Sequence, residues 1–116
     1  MPYGVANAML LGQVMKYNVS KCKRACRKYA ELARVIGLCS YSSSDSEVIE
    51  AFVDKISCMM ERMNMPKTLT TFGVNRQQVA YALYEIVNNT LKDACLSTNP
   101  LKPSKHDVEQ LVKEIL

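Results

Sequence analysis

A chain of 116 residues, 48% apolar and 22% charged, has the composition of an ordinary globular protein. At that length it can bury roughly two thirds of its unfolded surface, which allows one core and excludes a second domain. Its formal charge of +4 is too small to argue for nucleic acid without a concentrated patch.

In chain order, Val5, Ala8, Met9, Leu11 and Met15 share a period of 3.6 and predict a helix that starts just after Gly4 and fades near Asn18. Ser20 is placed to cap a second helix, in which Cys22, Cys26, Tyr29, Ala33 and Ile36 form one stripe and Gly37 supplies a left-handed end. A serine-rich loop follows from Cys39 to Ser46, and Ser44 with Glu47 has the spacing of a capping box. Behind it, Val48, Ile49, Phe52, Val53, Ile56, Met59, Met60 and Met63 make the cleanest amphipathic pattern in the chain. That helix must stop before Pro66, because the residue preceding a proline is pushed out of the α region.

Beyond Pro66, Lys67 to Phe72 reads as one short helical turn closed by Gly73. Asn75 caps a long helix whose inward face is Val79, Leu83, Ile86, Val87, Leu91 and Ala94. Asn99-Pro100 and Pro103 break the chain, and Ser104 caps a last helix carrying Val108, Leu111, Val112 and Ile115. Five main helices joined by short loops, with no strand-like run, predict an all-α bundle over residues 1–116 as a single helical domain.

Five cysteines, Cys22, Cys26, Cys39, Cys58 and Cys95, form an odd set without a C-x-x-C pair, so neither a disulfide framework nor a zinc ribbon is indicated. Reduced thiols and a cytoplasmic location are the expectation. The first residues lack a signal peptide's basic flank and cleavage site, and no apolar run is long enough to span a bilayer. Cys22 and Cys26 stand one helical turn apart, which suits either core packing or a shared metal, and their register with Tyr29 and Ala33 favours the core. His106, the single histidine, falls in the first turn of the last helix without a second ligand at suitable spacing, and is expected on the surface.

Lys21, Lys23, Arg24, Arg27 and Lys28 place five cations in eight residues, opposed by none. Such a run could contact phosphates, but without interleaved aromatics or a recognition helix it reads as a solvated face. Met59, Met60, Met63 and Met65 read as adaptable core, or as a surface for another helix.

Four segments resemble the iron-containing alcohol dehydrogenases. Pro2-Tyr3-Gly4-Val5-Ala6-Asn7-Ala8 is similar to that family's Pro-His-Gly-Val-Ala-Asn-Ala motif, and Lys28 to Gly37 is similar to its Lys-Tyr-Ala-Glu-Ile-Ala-Arg segment. Met65 to Leu69 with Phe72 to Val74 resembles its Ile-Pro-Lys-Thr-Leu and Leu-Gly-Val turn. Leu91 to Cys95 with Thr98-Asn99-Pro100 resembles its Asp-Ala-Cys and Asn-Pro pattern. Four motifs in order are specific where one alone is weak.

The resemblance implies part of the C-terminal helical domain of a two-domain enzyme that uses iron and NAD(P), in which the metal polarises the substrate oxygen and the cofactor carries the hydride. It further implies that Tyr3 stands at a metal-ligand position that the family fills with His, and that Cys95 stands close to the substrate pocket. Read from its own chemistry, Cys95 is expected to be a small buried apolar residue. The family's ligand set is one Asp and three His, and no glycine-rich phosphate loop is present, so this chain alone is expected to bind neither metal nor cofactor and to be inactive, a relict or fragment. Alternatives are a subunit whose metal site another chain completes, and a basic-face nucleic-acid module. Apolar positions of the first helix, Val5, Met9, Leu11 and Val14, are expected to lack partners, which predicts a homodimer through that helix and the Met59 to Met65 region, or a helical protein partner.

Overall fold

Helical periodicity becomes six α-helices and one 3₁₀ turn, with no strand, in the computed structural model of residues 1–116. They are α1 (Tyr3–Lys21), α2 (Lys23–Val35), α3 (Asp45–Arg62), α4 (Leu69–Phe72), α5 (Arg76–Lys92), the 3₁₀ turn Ala94–Thr98, and α6 (Lys105–Glu114).

The first helix is longer than its apolar pattern. It continues to Lys21, and one extended residue, Cys22, separates it from α2. Ser20 therefore lies inside α1, where its hydroxyl donates to the Tyr17 carbonyl at 2.8 Å instead of capping α2. A hydroxyl within a helix satisfies itself on the preceding turn in this way, and α2 starts without a side-chain cap.

Ends of the next two helices follow the backbone chemistry of their last residues. Gly37 (φ 80°) closes α2, with Gly37 N–H donating to Arg34 O and Leu38 N–H to Ala33 O, both at 3.0 Å. Asn64 (φ 53°) closes α3 in the same pattern, with Met65 N–H reaching Met60 O at 2.9 Å. At the start of α3, Ser44 accepts from Glu47 N–H at 3.3 Å. The reciprocal half of the expected capping box does not form there. The loop is held instead by Arg34, which pairs with Asp45 at 2.8 Å and donates to Ser43 O at 2.6 Å.

Alanine sets the tightest packing. Ala30, Ala33 and Val48 are wholly buried, with Ile49 beside them, where α2 lies on α3. Small side chains let two helices approach closely, and the buried face of α2 accordingly runs through Ala25, Ala30 and Ala33, while Ile36 is exposed. Leu11, Met59 and Met63 are exposed as well, whereas Met9, Met15 and Met60 are buried.

α1 packs on α2, α3 and α6, and α5 packs on α6 and the 3₁₀ turn. The short α4 joins this second group by donating its free amides to the end of α6, Leu69 N–H to Ile115 O at 2.7 Å. The result is a slab of 47 × 32 × 19 Å. Its surface of 7889 Å² exceeds the roughly 6,300 Å² expected for a compact chain of 13.0 kDa. No helix is long and apolar enough to cross a membrane.

Candidate functional site: an apolar groove beside Cys95

An open cavity of about 700 Å³ lies between α1, α5, α6 and the 3₁₀ turn. Residues three and four apart share a helix face, so Ala6, Leu10, Val14 and Tyr17 form its α1 wall, opposite Ile86 of α5 and Leu111 of α6. Asp93, Cys95, Thr98 and Asn99 make one end polar. Such a cavity suits a ligand with an apolar body and a single polar group.

Two polar clusters fix that geometry. Asn18, buried to 1% exposure, exchanges amide hydrogen bonds with Asn99: its Nδ2 donates to Asn99 Oδ1 at 3.0 Å and its Oδ1 accepts from Asn99 Nδ2 at 2.9 Å. Asn18 Nδ2 also donates to the Tyr29 hydroxyl at 3.2 Å, and Asn99 Nδ2 to Leu101 O at 2.8 Å. Every amide atom of Asn18 is thereby satisfied, and the 3₁₀ segment is tied to α1 across 81 residues of sequence.

The second cluster centres on Asp107. Its carboxylate accepts from Ser104 N–H at 3.0 Å, Lys21 Nζ at 3.1 Å and Tyr17 Oη at 2.9 Å. The Ser104 amide first, then the Lys21 ammonium and the Tyr17 hydroxyl, hold the Asp107 carboxyl well below the usual carboxylate range. Burial, with Asp107 alongside, pushes the Tyr17 phenol up. Lys21, expected to be unopposed, is thus an anchor between α1 and α6, whereas Lys23, Arg24, Arg27 and Lys28 are exposed and make no ion pair.

Cys95 is exposed and lines the groove, contrary to its reading as a buried core residue. Asp93 explains this: it caps the 3₁₀ turn by accepting from Cys95 N–H at 2.8 Å, so that α5 and its inward face end at Lys92 and Cys95 belongs to the turn. Ala94, assigned to that inward face, is exposed for the same reason.

Tyr3 lies on the groove's α1 line, three residues before Ala6, and is 88% exposed. His106 is exposed in the first turn of α6. Cys22 and Cys26 are half-buried, and Cys26 packs against the α2–α3 core. No three His, Cys, Asp or Glu side chains gather anywhere in a way that could hold a metal ion.

The family model described as Fe-containing alcohol dehydrogenase family, C-terminal, matches residues 1–116. The chain belongs to this family. The 1-propanol dehydrogenase of Salmonella typhimurium is 29% identical over 116 residues, covering 100% of this chain and 31% of that enzyme. The NADPH-dependent butanol dehydrogenase of Clostridium saccharobutylicum is 26% identical over 110 residues, and the lactaldehyde reductase of Escherichia coli 30% identical over 110 residues. Each of these matches covers 95% of this chain and 27% of the relative. The chain thus spans about a third or less of the relatives it matches.

The donors present do not fit the iron of an iron-containing alcohol dehydrogenase. A phenol titrates near pH 10 and is a good ligand only once deprotonated. Tyr3, at the position the resemblance assigns to a ligand, has no second donor of the required type grouped with it.

Proposed function

We propose that this chain is a helical module of the iron-containing alcohol dehydrogenase family that does not catalyse alcohol oxidation by itself and works through association. The observation that carries the reading is the donor set: Tyr3 is exposed and solitary, and no cluster of ligand side chains exists to complete a site around it. The sequence also lacks a glycine-rich loop to cradle a dinucleotide phosphate. Association is supported by the excess surface and by exposed Leu11, Leu32, Val35 and Met63. Each large apolar side chain left in water forgoes roughly 1.5 to 3 kcal/mol, a large share of the 5 to 15 kcal/mol that holds a domain together. Five free thiols accord with a reducing, cytoplasmic setting.

Metal analysis and NAD(P)-linked turnover of short-chain alcohols and aldehydes by the purified chain test this. We expect less than about one tenth of a metal ion per chain and no turnover above buffer, and Tyr3→His restoring neither, since one donor does not make a site. One tightly held iron or zinc per chain, or turnover surviving repurification, overturns the reading.

The intact groove supports a second reading, in which another chain supplies the nucleotide-binding part and the remaining ligands. Turnover on adding a separately produced nucleotide-binding portion of a relative, lost in Leu10→Arg, would favour it.

A further inference from the structure

We propose that the outward face of α2 docks on an anionic lipid surface, with Lys23, Arg24, Arg27 and Lys28 among the headgroups and Leu32, Val35 and Ile36 seated in the hydrocarbon just beneath them. None of these residues lines the groove. The contact differs in kind from association with another protein, and neither depends on the other.

The excess charge of the molecule sits on this face. The chain carries fifteen Lys and Arg against eleven Asp and Glu. Without these four cations it would be neutral, so its formal +4 belongs to the first two turns of one helix. Lys21, Arg34, Lys67 and Lys113 are each held by a carboxylate, whereas none of the four is. No side chain caps the start of α2 and no acid stands in its first turn, so the positive end of the helix adds to the same patch. Each cation close to an anionic leaflet strengthens partitioning about fivefold, and Glu31, the only acid of α2, takes back one such factor, which leaves about a hundredfold.

The aliphatic residues decide which polyanion fits. Arg24, Lys28, Leu32 and Ile36 follow at intervals of four along α2 to its C-cap, and Val35 stands seven after Lys28, so cations and aliphatics share one face. Leu32 is 50%, Val35 68% and Ile36 58% exposed, while Ala30 and Ala33 on the opposite face are at 0%. A nucleic-acid backbone offers phosphates to the cations and nothing to three neighbouring aliphatics. A bilayer surface offers both, charged headgroups first and hydrocarbon several ångströms deeper. From Lys28 to Ile36 the helix rises about 12 Å, so tilting its C-terminal end downward lowers the aliphatics past the headgroups and leaves the cations among them. The contact is peripheral, since no helix is long and apolar enough to cross a membrane.

Sedimentation of the full chain with vesicles tests this, using phosphatidylcholine alone or with one third phosphatidylserine, at about 0.1 M and about 0.5 M salt. We expect at least tenfold tighter binding to the serine-containing vesicles at the lower salt, with most of that preference lost at the higher. Arg24→Glu combined with Arg27→Glu, both at exposed positions, should abolish the preference, and unchanged helical circular dichroism would show the fold intact. Val35→Ser combined with Ile36→Ser should weaken binding at least fivefold without altering its salt dependence.

Equal binding to both vesicles, binding to neither, or a preference that survives the arginine reversal overturns the inference. Binding that needs the arginines but ignores Val35 and Ile36 overturns it as well, and tighter retention on a short DNA duplex would then assign the face to nucleic acid. Light scattering without vesicles reads self-association separately, so failure here leaves the association reading standing.

Discussion

Where α2 lies on α3, Ala30, Ala33 and Val48 are wholly buried; where α1 faces α5 across α6, apolar side chains line an open cavity of about 700 Å³. Both regions are built of amphipathic helices and differ in what those helices pack against. On the first side each helix finds its partner within the chain. On the second, α5 packs on α6 and the 3₁₀ turn, and α1 presents Ala6, Leu10 and Val14 to an open groove. The closed region holds the most deeply buried side chains, and the open one is the candidate site.

One substitution made in both places separates them most sharply. Ala30→Leu, forced into a site with no exposed surface, should cost about 3 kcal/mol through overpacking. Ala6→Leu, which points the same three carbons into the groove, should change stability by less than about 0.5 kcal/mol. Urea midpoints at a matched, monomeric concentration read both, and equal losses would mean that the groove is closed in solution.

The seam between the regions comes next. Asn18→Ala empties a buried position and leaves the Oδ1 and one Nδ2 hydrogen of the half-buried Asn99 without that partner, for a loss of about 2 kcal/mol. The loss should be accompanied by faster labelling of Cys95 as the 3₁₀ turn loosens, with Cys58 unaffected. A stability loss without that change would show that the amide pair does not position the turn.

A smaller effect is expected at the start of α6. Ser104 and Asp107 form a complete capping box there. Ser104→Ala should cost about 1 kcal/mol, measured by thermal unfolding, and should shift amide exchange in α6 more than in α2 or α3.

Acid should act last and on the open side first. Asp107 is held below its ordinary range, so its contribution is fully present above the unfolded-state value near 4 and is lost as pH falls from there through the lower folded-state value. Below pH 4 the α1–α6 contact through Tyr17 and Lys21 should weaken before the α2–α3 core, and Asp107→Asn should flatten that dependence. Amide exchange at pH 5 and pH 3 distinguishes a local loss from a uniform one.

Much of this was readable from residues. The left-handed turn at Gly37, the arrest of α3 before Pro66, and the caps Ser44, Asn75 and Ser104 are local chemistry, decided within a few residues, and the structure has each of them. Local patterns failed where a distant partner outweighed them. Ser20 lost its cap because α1 continued through it to bring Tyr17 and Lys21 to Asp107, a bond closing over 90 residues in the case of Tyr17. Cys95 and Ala94 lie at the surface because Asp93 caps the 3₁₀ turn and ends α5 at Lys92, a signal that periodicity does not carry. The stripe ending at Ile36 was displaced because close helix approach selects small residues over large ones.

The sequence by itself determined an all-helical chain of the iron-containing alcohol dehydrogenase family, since helix periodicity, caps and four family motifs are local signals. Only the tertiary structure decided which apolar faces met one another and which were left open. The groove, the Asn18–Asn99 tie and the exposure of Cys95 depend on pairs of residues far apart in sequence, and no window along a single chain contains both members of such a pair.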